Sequence, residues 1–73
     1  MHTQIVMNHT GDSRHHFDPD NYVEVLDARR RFRELTEAGY TAAKQTGNGR
    51  SEVIRQFDPT ATETLFIPRL VGG

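Results

Sequence analysis

The residues that could take part in chemistry most directly stand at the end of the sequence. They are Arg69, Leu70, Val71, Gly72 and Gly73. The paired glycines have no side chains to pack, so this segment can pass through a narrow active site. A glycine carboxylate also suits activation by ATP, because no β-carbon crowds the reacting group. Chain ends are often disordered, and an ordinary chain end is the alternative interpretation. In both cases we expect residues 69–73 to form a flexible tail.

Other reactive side chains lack the spacing that catalysis or metal binding requires. The four histidines are His2, His9, His15 and His16. The chain has no cysteine to complete a zinc site or act as a nucleophile. Adjacent strand residues point to opposite faces, so His15 and His16 cannot easily share a metal ion. Asp12, Ser13 and one of these histidines are the residue types of a catalytic triad. Side chains that are neighbours in sequence rarely adopt the geometry that such a triad requires. We therefore predict no catalytic residue, no metal site, no cofactor and no enzyme.

The charged residues include one basic run and a single lysine. Arg29, Arg30, Arg31 and Arg33 lie close together in sequence. On a helix these positions spread over about 200° and do not form one patch. Glu34 and Glu37 are spaced to pair with Arg30 and Arg33. A solvated helix face is our main interpretation, and a docking site for an acidic partner is the alternative. Lys44 is the only lysine, so it and the Met1 amine are the candidate acceptors if copies of the chain become linked.

The composition limits which cellular compartment and which classes of partner we expect. Nine basic and ten acidic residues give a net charge of −1, so no basic excess favours non-specific binding to nucleic acid. No apolar run approaches the roughly 20 residues of a membrane span. The first residues do not resemble a signal peptide. We expect a complete, soluble chain in the cytoplasm that binds neither nucleic acid nor membrane.

Apolar patterning predicts two strands and one long helix in the first half of the chain. The strands are expected over Thr3–Asn8 and Arg14–Phe17, and the helix over Asn21–Ala38. Asp18 is predicted as the N-cap of this helix and Pro19 as its first residue. The predicted buried face consists of Tyr22, Val25, Ala28 or Arg29, Phe32 and Leu35, widened by Leu26 and Ala38.

The second half predicts a hairpin and a last strand. Gly39 is expected to cap the helix, and Asn48-Gly49 to turn between strands Tyr40–Gln45 and Ser51–Phe57. In the second of these strands, Val53, Arg55 and Phe57 should share one face. Thr64–Ile67 follows as the fifth strand, and Pro68 ends it. The order ββαβββ is that of an α+β β-grasp fold with one helix on a mixed sheet. A helix on a plain antiparallel sheet is the alternative.

Over nearly its whole length the chain resembles the ubiquitin-like β-grasp family. The resemblance rests on the strand Gln4-Ile5-Val6, the turn Thr10-Gly11, the single helix and the tail. The tail is similar to the ubiquitin tail Arg-Leu-Arg-Gly-Gly, with Val71 in place of the second arginine. Ile67-Pro68 looks more like the prokaryotic sulfur carriers of thiamin and molybdopterin synthesis, which also end in Gly-Gly. We therefore expect a prokaryotic ubiquitin-like protein, with residues 1–68 as its domain and 69–73 as its tail.

The resemblance implies chemistry that other enzymes perform on this chain. An activating enzyme would adenylate the Gly73 carboxylate, and a conjugating enzyme would pass it to an amine of a target protein. A deconjugating peptidase would reverse the isopeptide bond. Gly72, which has no side chain, would keep the tail narrow where it approaches the active site. The activating enzyme would recognise Arg69, Leu70 and Val71. The alternatives are a sulfur carrier with a thiocarboxylate on Gly73 and an adaptor of the same fold that only binds a partner.

Overall fold

Five strands and one helix follow one another in the computed structural model, which describes residues 1–69. Their bounds are β1 His2–Asn8, β2 Gly11–Phe17, α1 Tyr22–Glu37, β3 Thr41–Gly47, β4 Arg50–Ile54 and β5 Glu63–Ile67. The strands form one sheet in the order β2-β1-β5-β3-β4. Strands β1 and β5 run parallel, and the other neighbouring pairs are antiparallel. This mixed sheet with one helix confirms the predicted α+β fold of β-grasp type and excludes the plain antiparallel sheet.

The helix begins later than predicted, because a turn precedes it. Asn21 is the N-cap, and its side chain accepts a hydrogen bond from the Glu24 backbone N–H. The predicted cap, Asp18, instead uses its carboxylate to accept the Asp20 backbone N–H at 2.9 Å. Its carbonyl also accepts the Asn21 N–H at 3.0 Å. Asp18-Pro19 therefore forms a turn of its own, and the assignment of Asp18 as N-cap was wrong.

The helix ends as the sequence predicts. Gly39 has a φ of 103°, a left-handed conformation that glycine adopts without strain. This allows the Tyr40 N–H to donate to the Leu35 carbonyl at 3.0 Å, while the Gly39 N–H donates to that of Thr36 at 3.1 Å. These two bonds define a Schellman cap, which turns the chain directly into β3.

The core is an aromatic row between the helix and one face of the sheet. Phe32, Ala42 and Phe66 are buried together. The Phe32 ring lies 5.6 Å from that of Phe66 and 6.0 Å from that of Phe57, and Phe57 lies 6.0 Å from Phe17. Edge and tilted packing at these separations is favourable for aromatic rings. The core therefore joins α1, the central strand β5 and the loop after β4.

The predicted buried face of the helix was correct in its middle and wrong at Tyr22, Leu26 and Ala38, which are exposed. Ala28 and Phe32 are fully buried, and Leu35 is half-buried against the cluster that contains Phe32. Tyr22, in contrast, is 75% exposed. The helix meets the sheet where Ala28 is small enough to allow close approach. Its first turn instead borders a surface groove, which is why Tyr22 is not covered.

Strand β4 is shorter than predicted, and Val53 and Phe57 do not share a face. Ile54 pairs with buried Ala42, so Ile54 faces the helix, whereas Val53 points away and is 63% exposed. The strand ends at Ile54 and the chain bends over residues 55–56. This bend breaks the alternation and returns Phe57 to the core, so the predicted shared face of Val53 and Phe57 was wrong. The Asn48-Gly49 turn is confirmed, with φ values of 55° and 73°.

Candidate functional site

The tail segment begins at one end of the sheet, beside the carboxyl end of the helix. Strand β5 is central, and its last residue, Ile67, pairs with Thr41 at the start of β3. Pro68 lacks a backbone N–H and lies outside the strand. Arg69 is exposed, and its Cβ lies 4.0 Å from the position that a Cβ on Gly39 would occupy. The chain therefore leaves the sheet next to the helix cap.

The structure describes only one of the five predicted tail residues. Leu70, Val71, Gly72 and Gly73 lie outside the described residues. The expected flexibility of the tail, its recognition by an activating enzyme and the reactivity of Gly73 therefore stay predictions.

Lys44, the candidate acceptor, is engaged in an ion pair. Its Nζ donates a hydrogen bond to the Asp58 carboxylate at 2.8 Å and lies 3.9 Å from the Glu52 carboxylate. The bond to Asp58 raises the pKa of Lys44. In turn, the bond from Lys44, followed by two bonds from Thr60, holds the pKa of Asp58 well below its usual range. An amine must be unprotonated to attack a carbonyl carbon, so Lys44 has to leave this pair before it can accept a tail.

The histidines are placed in separate local contacts. The His2 Nδ1 lies 3.1 Å from the Pro59 carbonyl oxygen, and its ring packs edge-on against Phe17. The His16 Nδ1 lies 3.0 Å from the Thr3 hydroxyl. His15 faces the helix side, where burial first and then the nearby Arg31 lower its pKa. Within residues 1–69 no group of three or more His, Asp or Glu side chains is placed to hold a metal ion.

Gln4 is a buried polar residue whose role the sequence did not indicate. It is 1% exposed in β1, an interior strand of the sheet. Its Nε2 donates to the Ala28 carbonyl at 3.0 Å, and its Oε1 accepts a hydrogen bond from Arg31 at 2.9 Å. Both ends of the amide are satisfied, as burial requires. Gln4 therefore ties the middle of α1 to the sheet. An isolated glutamine in an alternating strand gives no signal for such a contact.

The basic run divides into three different environments. Arg30 lies 3.4 Å from Asp27 and 3.6 Å from Glu34, which confirms the predicted Arg30–Glu34 pair. Arg31 turns inward to Gln4. Arg29 and Arg33 lie one turn apart and border a groove beside the helix. The predicted pair between Arg33 and Glu37 is absent from the ion pairs of residues 1–69.

A groove lies beside α1 in the described part of the chain. It has a volume of about 900 Å³ and lies between nearly the whole length of α1, from Tyr22 to Thr36, and residues 55–59. Arg55 and Phe57 contribute from the loop after β4. Sequence reasoning could not place them here, because only the fold brings this loop beside the helix.

Comparison of the chain with protein-family models, with curated proteins and with solved structures gives no match. The class of the protein is therefore defined by its topology, a small α+β domain of β-grasp type. Residues 1–69 contain no helix with the length and apolar character needed to cross a membrane.

Proposed function

We propose that this protein is a ubiquitin-like modifier that is activated at Gly73 and conjugated to amines of target proteins in the cytoplasm. The observation that supports the proposal is the junction between fold and sequence. A central strand, β5, runs parallel to β1 and leads directly into Arg69-Leu70-Val71-Gly72-Gly73. A tail that enters an enzyme channel must start at a folded part of the domain and end in residues without side chains. The five-stranded sheet is the folded part, and the two glycines are the residues without side chains.

The chemistry takes place on the chain and is carried out by partner enzymes. A carboxylate oxygen of Gly73 attacks the α-phosphate of ATP, pyrophosphate leaves, and a mixed acyl-phosphate anhydride forms. A cysteine thiolate of the activating enzyme then attacks the glycine carbonyl, and AMP leaves. A target amine finally displaces the thiolate and forms an amide. A conjugating enzyme would direct this last step, and a peptidase would hydrolyse the amide.

The tail residues have separate roles in this proposal. Gly73 provides the reacting carboxylate, and Gly72 keeps the channel approach free of a side chain. Arg69, Leu70 and Val71 are the residues that the activating enzyme reads. Five residues span at most roughly 17 Å, which is enough to reach a nucleotide site from the surface of the domain.

A sulfur carrier is the second candidate, and Ile67-Pro68 is the observation that favours it. Pro68 follows the last strand just before the tail, and the sulfur carriers that the chain resembles often carry a proline a few residues before their Gly-Gly end. In this alternative a sulfur donor attacks the acyl adenylate, AMP leaves, and Gly73 becomes a thiocarboxylate. An adaptor that binds a partner without any reaction at Gly73 is the third candidate.

Intact mass spectrometry distinguishes the three candidates. The chain is incubated with ATP and a candidate activating enzyme, with and without a sulfur donor. We expect an enzyme-linked species that a reducing thiol releases, and amide-linked products when target protein is added. A mass gain equal to replacing one carboxylate oxygen by sulfur would identify a carrier. An unchanged mass with every addition would contradict both and leave the adaptor.

A further inference from the structure

A groove on the helix side of the molecule forms a surface that residues 67–69 do not line. We propose that the groove between α1 and residues 55–59 binds an acidic, apolar peptide segment of a partner protein. This surface does not depend on the reaction at Gly73, because residues 67–69 do not line the groove.

The floor of the groove is apolar. It is formed by Val25, Leu26, Phe32, Phe57 and Pro59. Leu26 is 43% exposed, and Tyr22 at the rim is 75% exposed. Large apolar side chains in a concave surface favour partner residues that fill the space and displace water. The floor therefore accounts for the apolar part of the peptide.

The rim of the groove is positive. Arg29 and Arg33 stand on α1, and Arg55 stands across the groove on the loop after β4; all three are exposed. Among residues 1–69, no carboxylate lies within 4.0 Å of any of these three guanidinium groups. Arg30, the fourth arginine of the lining, is already paired with Asp27 and Glu34. Three uncompensated guanidinium groups around an apolar floor complement carboxylates, which they can bind in a bidentate manner.

The distribution of charge favours an acidic peptide over a nucleic acid. The whole chain carries a net charge of −1, and the carboxylates of Asp27 and Glu34 flank the groove on α1. A long polyanion needs a basic surface that extends along its backbone, whereas this positive region is confined to the groove. The lining stretch of α1, from Tyr22 to Thr36, is roughly 21 Å long, which matches a helical peptide of about 14 residues.

The experiment selects random displayed peptides of about 16 residues against the full chain and then titrates the selected synthetic peptides into the isotope-labelled protein. We expect selected peptides with net negative charge and at least two large apolar residues. Their amide shift changes should be centred on residues 22–36 and 55–59. Binding should weaken as salt is raised, because screening reduces the arginine–carboxylate attraction.

Paired variants separate the groove from general charge and exposure effects. Arg29→Glu with Arg33→Glu should weaken binding by about tenfold or more, whereas Arg14→Glu with Arg50→Glu makes the same charge change on other elements and should not. Leu26→Asp should also weaken binding, while Val23→Asp, on an exposed part of α1 outside the groove lining, should not. Amide spectra of each variant verify that it is folded.

Five outcomes would overturn the proposal, four of them in the peptide experiments. They are selection of no peptide, selection of neutral or basic peptides, shift changes outside the groove, and equal weakening by both arginine pairs. An oligonucleotide that shifts Arg29 and Arg33 at lower concentration than the selected peptides would also overturn it.

Discussion

At the scale of single residues, the Lys44–Asp58 pair shows how a short contact changes reactivity. Both side chains are about one-quarter exposed, and the 2.8 Å bond is stronger than the 3.9 Å approach to Glu52. Asp58 also accepts the backbone N–H and hydroxyl of Thr60. This carboxylate therefore organises the turn before β5 and restrains the only lysine at the same time.

The pair makes stability depend on pH at the acidic end. The folded pKa of Asp58 is lowered, so its contribution is present above its unfolded pKa of about 3.9 and disappears as pH falls through the folded value. Urea unfolding at a series of pH values should show that Asp58→Asn lowers the midpoint at neutral pH and reduces the fall in stability on acidification. Glu52→Gln, the control, should change the midpoint little, since Glu52 is distant and exposed. Equal effects of the two variants would contradict this account.

The same pair predicts the reactivity of the lysine. Because the bond to Asp58 raises the pKa of Lys44, Asp58→Asn should increase the rate at which an amine-reactive ester acylates Lys44 near neutral pH. Peptide mass spectrometry of a time course measures this rate. Faster acylation of Lys44 in the wild type than in Asp58→Asn would show that the ion pair does not form in solution.

At the scale of elements, turns and helix caps were predicted correctly where only one residue or residue pair was a candidate for them. Gly39 and Asn48-Gly49 set backbone conformations that few other residues adopt, and both are where the sequence predicted them. Asp18 and Asn21 are both good N-caps, and the turn made by Asp18 decided between them. The end of β4 could not be predicted, because the bend after Ile54 follows from the packing of Phe57 on Phe17 and Phe32.

The helix face gives a direct test of this packing. Phe32→Ala should lower the free energy of unfolding by about 3–5 kcal/mol, because it removes a fully buried ring. Tyr22→Ala should change it by only about 0.5 kcal/mol, since this ring is 75% exposed. Chemical denaturation followed by circular dichroism measures both. A loss below 1 kcal/mol for Phe32→Ala, or a larger loss for Tyr22→Ala, would mean that another helix face is buried.

Strand β4 offers an equivalent test of register. Ile54→Ala should destabilise the protein by about 1–2 kcal/mol, because Ile54 packs against the core. Val53→Ala, one residue earlier and 63% exposed, should have less effect. The reverse order of denaturation midpoints would mean that Val53, and not Ile54, faces the core.

At the scale of the whole molecule, sheet topology determines where the tail leaves the domain. The parallel pairing of β1 with β5 puts the end of β5 in the centre of the sheet, beside the helix cap. The tail motif is visible in the sequence itself, and the sequence also predicted the element order. It could not predict the groove, because Arg29 and Arg55 are 26 positions apart (55 − 29) and meet only in the folded chain.

Variants of the tail should separate folding from reaction. Deleting Gly72 and Gly73, or adding one residue after Gly73, should leave the denaturation midpoint unchanged, because the core lies within residues 1–69. Both changes should abolish ATP–pyrophosphate exchange by the activating enzyme. Gly73→Ala should retain part of the exchange rate, whereas Gly72→Trp should abolish it by blocking the channel. Full exchange by the deletion variant would remove Gly73 from the proposed chemistry.

The most direct test of the proposed modifier function is to detect the remnant of the tail that conjugation would leave on target lysines. Trypsin cleaves after Arg69, so a conjugated lysine would keep the remnant Leu70-Val71-Gly72-Gly73 as an amide on its side chain. A chain tagged at the exposed Met1 is purified from its source cells under denaturing conditions, and its tryptic peptides are sequenced by mass spectrometry. We predict lysines of other proteins that carry this remnant, and none in cells that express the chain without Gly72 and Gly73. Absence of the remnant from the wild-type sample, with the tagged chain recovered only in its unlinked form, would contradict the modifier function.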